Sequence, residues 1–210
     1  MDKYEITVAT FNRLADAYQD KYMHSDFYID TYDTFCELVT NDSAAILEVA
    51  CGPGNITKYL LKKRPGFIIE GIDLAPKMVE LAKVNNPTAS FYVMDSRKVS
   101  GINQQFDAIM CGFCFPYLSK EDVANFIVDA RYLLKKGGIL YISTMEDDYE
   151  KSGFQTSSAG DQVYIHYHQF EYISHHLGAN GFNIIEIKRK AFPQEKGLPT
   201  TDLFVFAQAN

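Results

Sequence analysis

Ala44-Ala45-Ile46-Leu47-Glu48-Val49-Ala50-Cys51-Gly52-Pro53-Gly54 is the stretch that decides the fold. A short apolar run entering a Gly-Pro-Gly turn reads as a strand over 44–50, buried on both faces as in a parallel sheet. Asn55 stands where it can cap a helix running to about residue 62. Gly66 then separates a second strand over 67–72, which ends at Asp73. Pro76 suits the first turn of the next helix, whose apolar face carries Met78, Val79, Leu81 and Ala82. Strands over 89–94 and 106–111 follow. Ser119 caps a helix through 134, with Glu121 and Asp122 in its first turn. Lys136-Gly137-Gly138 closes that helix, and a fifth strand covers 139–143. Strands alternating with helices make βαβ units. The right-handed crossover rule arranges these as an α/β fold with a doubly wound, mostly parallel sheet.

Outward from this core the pattern changes. The residues before it show helical spacing in Ile6, Phe11, Leu14, Ala15 and Tyr18, with Tyr22 a turn further, and again over 27–39. The stretch 146–160 is polar and irregular and reads as a loop or lid. A strand over 163–167, a helix over 170–179, a stop at Gly181 and two long strands over 182–192 and 202–208 complete the chain. The expected layout is a single domain over 1–210. It has a helical cap at 1–43, a cofactor-binding core at 44–145 and a lid or substrate segment at 146–168.

Composition narrows the function. The chain has 210 residues, 47% hydrophobic and 22% charged, which is enough to bury a core. Its net charge of −7 disfavours a nucleic-acid partner, which calls for a basic face. Lys188-Arg189-Lys190 reads as a solvated strand end. No apolar run approaches the roughly 18–20 residues of a membrane span. The first residues lack the basic-then-apolar pattern of a signal peptide, so a cytoplasmic location is expected. The four cysteines are expected as free thiols. Cys111-Gly112-Phe113-Cys114 lacks the further ligands a metal site needs, so no metal is expected.

In such a sheet ligands bind outside the carboxyl ends of the strands, at the point where strand order reverses. Gly52 and Gly54 let backbone approach a ligand closely. The turn is not a phosphate-binding loop, because Asn55-Ile56-Thr57 stands where that loop carries Lys-Ser/Thr. Asp73, about twenty residues on, can accept from both hydroxyls of a ribose, or can serve as a helix cap. Asp95 ends the third strand and can accept from the exocyclic amine of adenine. Glu48, inside an apolar strand, is costly unless paired and suits a cationic amino group. A ligand with a ribose, an adenine and a cationic amino-acid tail but no phosphates fits these positions, and S-adenosylmethionine fits better than NAD.

These residues also carry a resemblance. Residues 46–54 resemble the first motif of the class I S-adenosylmethionine-dependent methyltransferases. Gly71-Ile72-Asp73-Leu74-Ala75-Pro76-Lys77-Met78 resembles their second-strand motif, and Met94-Asp95-Ser96 their adenine-binding turn. Residues 106–118 and 133–140 are similar to their fourth-strand motif and to the segment before the fifth strand. The match covers about 45–145 in chain order. Phe11 to Tyr18 further resembles the N-terminal helix of the small-molecule branch, and the two final strands suit the family's antiparallel edge. The resemblance implies a Rossmann-like fold with an antiparallel last strand and S-adenosylmethionine as cofactor. It implies that Gly52 and Gly54 line the methionine portion with Glu48 near it, and that Asp73 binds the ribose. Leu74 and Met78 flank the adenine, Asp95 and Ser96 hold its edge, and the Cys111 backbone takes the α-amino group. Cys51 and Phe113 belong to the same cofactor set, and Tyr18 closes over it. Ala50-Cys51 departs from the Gly-Cys or Gly-Thr of many relatives, which affects the shape of the turn.

The sulfonium methyl is already activated, so the protein has to align an acceptor and exclude water; no residue has to be a general base. Tyr22, Tyr117, His166 and His168 are the candidate substrate residues. On a strand, Tyr164, His166 and His168 share one face, either at the substrate or packed within the protein. The expected acceptor is a small molecule offering N, O or S. An NAD-dependent oxidoreductase would use Asp73 equally well. A non-catalytic cofactor-binding module and an aminopropyl transferase are further alternatives, although the latter would carry an acid after the fourth strand where Cys111-Gly112-Phe113 stands.

Overall fold

A computed structural model describes residues 2–192 and 200–210. Five strands, β1 (Ala45–Val49), β2 (Ile68–Asp73), β3 (Ser90–Val93), β4 (Phe106–Cys111) and β5 (Leu134–Glu146), run parallel in the order β3-β2-β1-β4-β5. Two final strands, β8 (Phe182–Phe192) and β9 (Thr200–Ala209), extend the sheet, with β9 antiparallel between β5 and β8. Between them in sequence, β6 (Gly153–Thr156) and β7 (Gln162–Ile165) form a separate antiparallel hairpin. The chain winds outward from β1 through β2 to β3 and then crosses back to β4 on the other side of β1. The sheet therefore switches direction between β1 and β4.

Seven α-helices accompany the strands among the described residues: α1 (Lys3–Arg13), α2 (Ala15–Tyr22), α3 (Ile29–Leu38), α4 (Asn55–Lys63), α5 (Pro76–Asn85), α6 (Lys120–Leu133) and α7 (Phe170–Ala179). Leu47 and Val49 of β1 join a core with Phe126 and Ile127 of α6 and Ile173 and Leu177 of α7. Ile46, on the opposite face, joins Phe35 of α3 and Leu60 of α4. Cover on both faces explains why β1 is apolar at nearly every position.

Several local expectations change. Asn55 is the first helical residue of α4, not its cap; Gly54, at φ +79°, is the cap residue. The segment 134–138 does not merely close α6. Leu134 already pairs with Phe106 and the ladder resumes at Ala108–Ile139, so 135–138 bulge from the strand with Gly137 at φ +79°. Strand β5 continues to Glu146, because β9 pairs with it along 139–146. Within the expected irregular lid, Gly153–Thr156 forms β6, and the strand expected over 163–167 is β7, which ends at Ile165; this hairpin is bound to α1 by Thr10 Oγ1 donating to the Gln162 carbonyl (2.7 Å) and Tyr164 N to Thr7 Oγ1 (3.0 Å). No helix among the described residues is long and apolar enough to cross a membrane.

Two non-glycine residues take left-handed backbone, Ala50 at φ +58° and Phe113 at φ +50°. They follow β1 and β4, the strands flanking the switch. A left-handed alanine costs about 1–2 kcal/mol. Ala50→Gly should therefore raise stability by up to about 1 kcal/mol once glycine's own entropic cost of roughly 0.5–1 kcal/mol is subtracted. Denaturant unfolding checks this; a loss of stability would contradict the strain.

Candidate active site

Outside the carboxyl ends of the strands lie two adjoining chambers. They share Tyr18, Ala50, Gly52, Gly112, Phe113 and Tyr117 as a common wall. The first chamber encloses about 900 Å³, its mouth included, and is bounded by the ends of β2 and β3 and by α1. Asp73, Leu74, Met78, Asp95 and Ser96 all line it, with Tyr4, Thr7, Val8 and Phe11 of α1 across from them. The second chamber opens between α2, α3 and the β5–β9 ladder, and Tyr22, Cys51 and Met145 line it.

Asp73 is the anchor of the first chamber. Its Oδ2 accepts from Gly52 N (2.9 Å) and its Oδ1 from Ala75 N (2.8 Å), which ties the β1 turn to the start of α5. Burial raises its pKa, opposed by the backbone donors of Ala75, Gly52 and Leu74. A carboxylate has about four lone-pair sites, so accepting capacity remains after these backbone bonds. Asp95 is more committed. It caps the short helical turn Ser96–Gly101 and is held by Arg97, whose Nε and terminal nitrogen lie 2.7–3.1 Å from its oxygens. Burial works to raise its pKa, but the Arg97 bonds outweigh it and the net direction is down. Arg97, which the sequence reading did not single out, also stacks its guanidinium 4.2 Å from the Tyr4 ring centre. Among the described residues it is the first chamber's one cationic lining residue, and Asp95 neutralises it.

The turn divides its labour. Gly52, at φ +53°, faces both chambers; a Cβ there would have only Tyr18 Cε1 at 3.8 Å and Asn55 Oδ1 at 3.9 Å as near neighbours. Gly54 lines neither chamber. It packs against α5, where Asn86 Nδ2 donates to its carbonyl (2.9 Å). Tyr18 stacks toward Tyr22 (4.5 Å between ring centres). Phe11, 6.0 Å from Tyr18 and 5.0 Å from Tyr117, bridges the aromatic wall. Burial pushes the phenol pKa values of Tyr18 and Tyr117 upward, so both rings stay neutral.

Besides Gly54, the side chains of four expected site residues line neither chamber. Glu48 is 1% exposed and lines neither chamber; the Thr57 hydroxyl donates to its Oε2 and its Oε1 has no partner. Burial raises its pKa from 4.5 to about 8. A group protonated in the fold but ionised in the unfolded chain makes stability fall as pH rises from about 4.5 to 8, by about 1.4 kcal/mol per pH unit at most. Glu48→Gln removes this dependence. Its melting temperature should exceed that of the parent by a margin that grows from pH 5 to pH 8; a margin independent of pH would contradict the protonated state.

The Cys111 side chain is sealed beneath the floor, while Gly112, Phe113 and Cys114 after it reach the cavity. All four cysteines are free and buried, and no cluster among the described residues is arranged to hold a metal. His166 and His168 do share a face, but it turns into the protein. His168 Nε2 lies 3.0 Å from both the Phe115 and the Leu118 carbonyl oxygens, clamping the turn that carries Tyr117. His166 Nδ1 lies 3.1 Å from Tyr149 Oη, and burial lowers its pKa to about 4, so it stays neutral. Neither imidazole lines a chamber. Both lie just beyond the end of β7, on backbone that docks on the Pro116 and Met145 carbonyls.

The sequence reading passed over Asp202 and Tyr28. Asp202 of β9 lines the second chamber, 3% exposed, and Tyr28 Oη donates to its Oδ2 (2.7 Å). The two are 174 residues apart in sequence, and only the pairing of β9 with β5 brings the acid to the site.

Residues 46–138 match a family described as a methyltransferase domain. The chain is 30% identical over 135 residues to a demethylmenaquinone methyltransferase of Thermotoga maritima, covering 63% of this chain and 58% of that one. It is 31% identical over 117 residues to a malonyl-[acyl-carrier protein] O-methyltransferase of Acetivibrio thermocellus, covering 53% and 40%. The chain spans about 40–62% of the length of such curated relatives. The magnesium protoporphyrin IX methyltransferase of Synechocystis PCC 6803, solved with bound S-adenosylmethionine, superposes with a TM-score of 0.72 at 16% identity, over 100% of this chain and 98% of that one. The matched segment holds β1 to β4, the Gly-Pro-Gly turn and the acids that end β2 and β3. With the reversed β8–β9 edge beside it, this segment is similar to the methyltransferase domain family, and the fold is that of the Synechocystis methyltransferase.

Proposed function

We propose that this protein transfers the methyl group of S-adenosylmethionine to a small-molecule N, O or S acceptor. The observation that carries the reading is the pair of chambers meeting at Ala50, Gly52, Gly112 and Phe113. One chamber has the polar groups for a nucleoside and the other is largely aromatic, so a donor and an acceptor can meet at the shared wall. The Synechocystis relative was solved with the same cofactor. The donor set suits it here. Asp73 has lone pairs left for ribose hydroxyls, Leu74 and Met78 offer apolar contact to an adenine, and Asp95 and Ser96 lie at its edge. Gly52 gives the methionine portion room, Gly54 holds the turn, and the backbone around Cys51 and Cys111 frames the tail. NAD fits less well, because the one cation lining the first chamber among the described residues is already neutralised by Asp95 and leaves no free positive charge there for a pyrophosphate.

The cofactor supplies an activated methyl group; the residues supply alignment and dryness. Tyr18 and Tyr117 at the shared wall exclude water, and Tyr22 and Phe113 confine the acceptor. His168 acts at a distance by fixing the turn that presents Tyr117. The test is a screen of methyl transfer from labelled S-adenosylmethionine to small amines, phenols and thiols. Label in at least one product is expected. Cofactor binding without transfer to any class would favour a non-catalytic module.

A further inference from the structure

Among the described residues, the second chamber contains one charged side chain. Asp202 faces it, and none of its lining residues is a lysine, arginine or histidine. Among the described residues the Tyr28 hydroxyl is the sole donor to this carboxylate, at Oδ2, and no donor bonds Oδ1. The Tyr28 ring is itself fixed, 5.0 Å from Phe113 and 5.5 Å from Phe204. Lys190 pairs with Asp202 across the β8–β9 ladder but spends its ammonium on Asp30 and the Phe27 carbonyl. The surrounding walls are Tyr22, Tyr32, Phe113 and Tyr117. A buried acid with no cation paired to it among the described residues, in an aromatic box beside the methyl-transfer wall, discriminates by charge.

We propose that Asp202, held by Tyr28, is the acceptor-binding and specificity-determining carboxylate. It selects a cationic or neutral aromatic acceptor bearing an N–H or O–H group and rejects anionic acceptors such as free carboxylates. An N–H or O–H donor completes the hydrogen bonding of Oδ1, and an ammonium adds cation–π contact with the tyrosines. A carboxylate acceptor meets like charge with nothing to offset it. This inference rests on the assignment of the second chamber to the acceptor. It adds a charge preference that the family assignment does not contain.

The test uses the full chain, with and without S-adenosylhomocysteine. It is read by tyrosine fluorescence, for which the 14 tyrosines and absence of tryptophan suit the protein. The probes are benzylamine, phenol and benzoate at neutral pH. Benzylamine should bind at least about tenfold more tightly than benzoate, with phenol between them. Asp202→Asn, whose amide oxygen still accepts from Tyr28, should remove that difference while leaving S-adenosylhomocysteine affinity unchanged. Burial raises the Asp202 pKa to about 6. Tyr28 bonds it, Tyr22 and Tyr141 act on Tyr28, and the Lys190–Asp30 pair lies across the β8–β9 ladder. The unmutated protein should therefore lose the preference at pH 5, a readout independent of whether the variant folds. Benzoate binding as well as benzylamine, or a preference that survives both Asp202→Asn and pH 5, would overturn the inference. If the preference holds but S-adenosylhomocysteine does not bind, the cofactor reading fails and the charge selection stands.

Discussion

Asp73→Ala should weaken S-adenosylhomocysteine binding by about 100-fold or more while the protein remains folded. The expected size follows from what the carboxylate does. It accepts from Gly52 N at 2.9 Å and Ala75 N at 2.8 Å. Removing it orphans two partly buried donors, at about 1–3 kcal/mol each, and deletes the proposed ribose acceptor as well. Much of the loss falls on binding, because the Gly52 turn is then free to leave the geometry that keeps backbone close to the ligand. Asp73→Asn separates the two contributions. It keeps one oxygen acceptor and replaces the other by a donor facing a donor, so it should lose nearly as much affinity. A titration in which Asp73→Ala binds as tightly as the parent would remove Asp73 from the site.

Gly54→Ala should be the most destabilising small substitution in the turn, by about 2–5 kcal/mol. A Cβ at this position would lie 2.3 Å from Asn86 Nδ2 and 3.3 Å from Ala82, and the backbone sits at φ +79°. The left-handed conformation accounts for about 1–2 kcal/mol and forced displacement in a packed contact for roughly 1–3 more. Asn86 would have to release the Gly54 carbonyl, loosening α5 from the turn. Gly52→Ala makes the useful contrast. It has a similar backbone but only ordinary contacts near its Cβ, so its cost is chiefly the backbone term and its effect on cofactor affinity the larger one. Denaturant unfolding of the two variants should rank Gly54→Ala well below Gly52→Ala; the reverse order would show that the turn can shift away from α5.

The core of this fold was legible because it is built from local signals. Strand β4 (Phe106–Cys111), helix α7 (Phe170–Ala179) and strand β8 (Phe182–Phe192) have the bounds that periodicity and glycine stops suggest. Ser119 caps α6 through a reciprocal bond with Asp122, as Ser-x-x-Asp spacing implies. What the sequence concealed depends on long-range pairing. Strand β5 reaches Glu146 only because β9 returns alongside it, and the same pairing delivers Asp202 to the second chamber. His166 and His168 alternate along one face as expected, but alternation does not say which side of that face is solvent, ligand or protein. Here the neighbours are Tyr149 and the carbonyls of Phe115 and Leu118. The place of Glu48 has a related cause. An acid in an apolar strand needs a partner, and Thr57 one helical turn into α4 supplies it from below the site.

The most direct test of the account is calorimetric titration of the purified protein with S-adenosylhomocysteine, with NADH as the control. The account predicts one site that takes S-adenosylhomocysteine and no measurable binding of NADH. Binding of NADH, or of neither ligand, would contradict the assignment of the first chamber to S-adenosylmethionine.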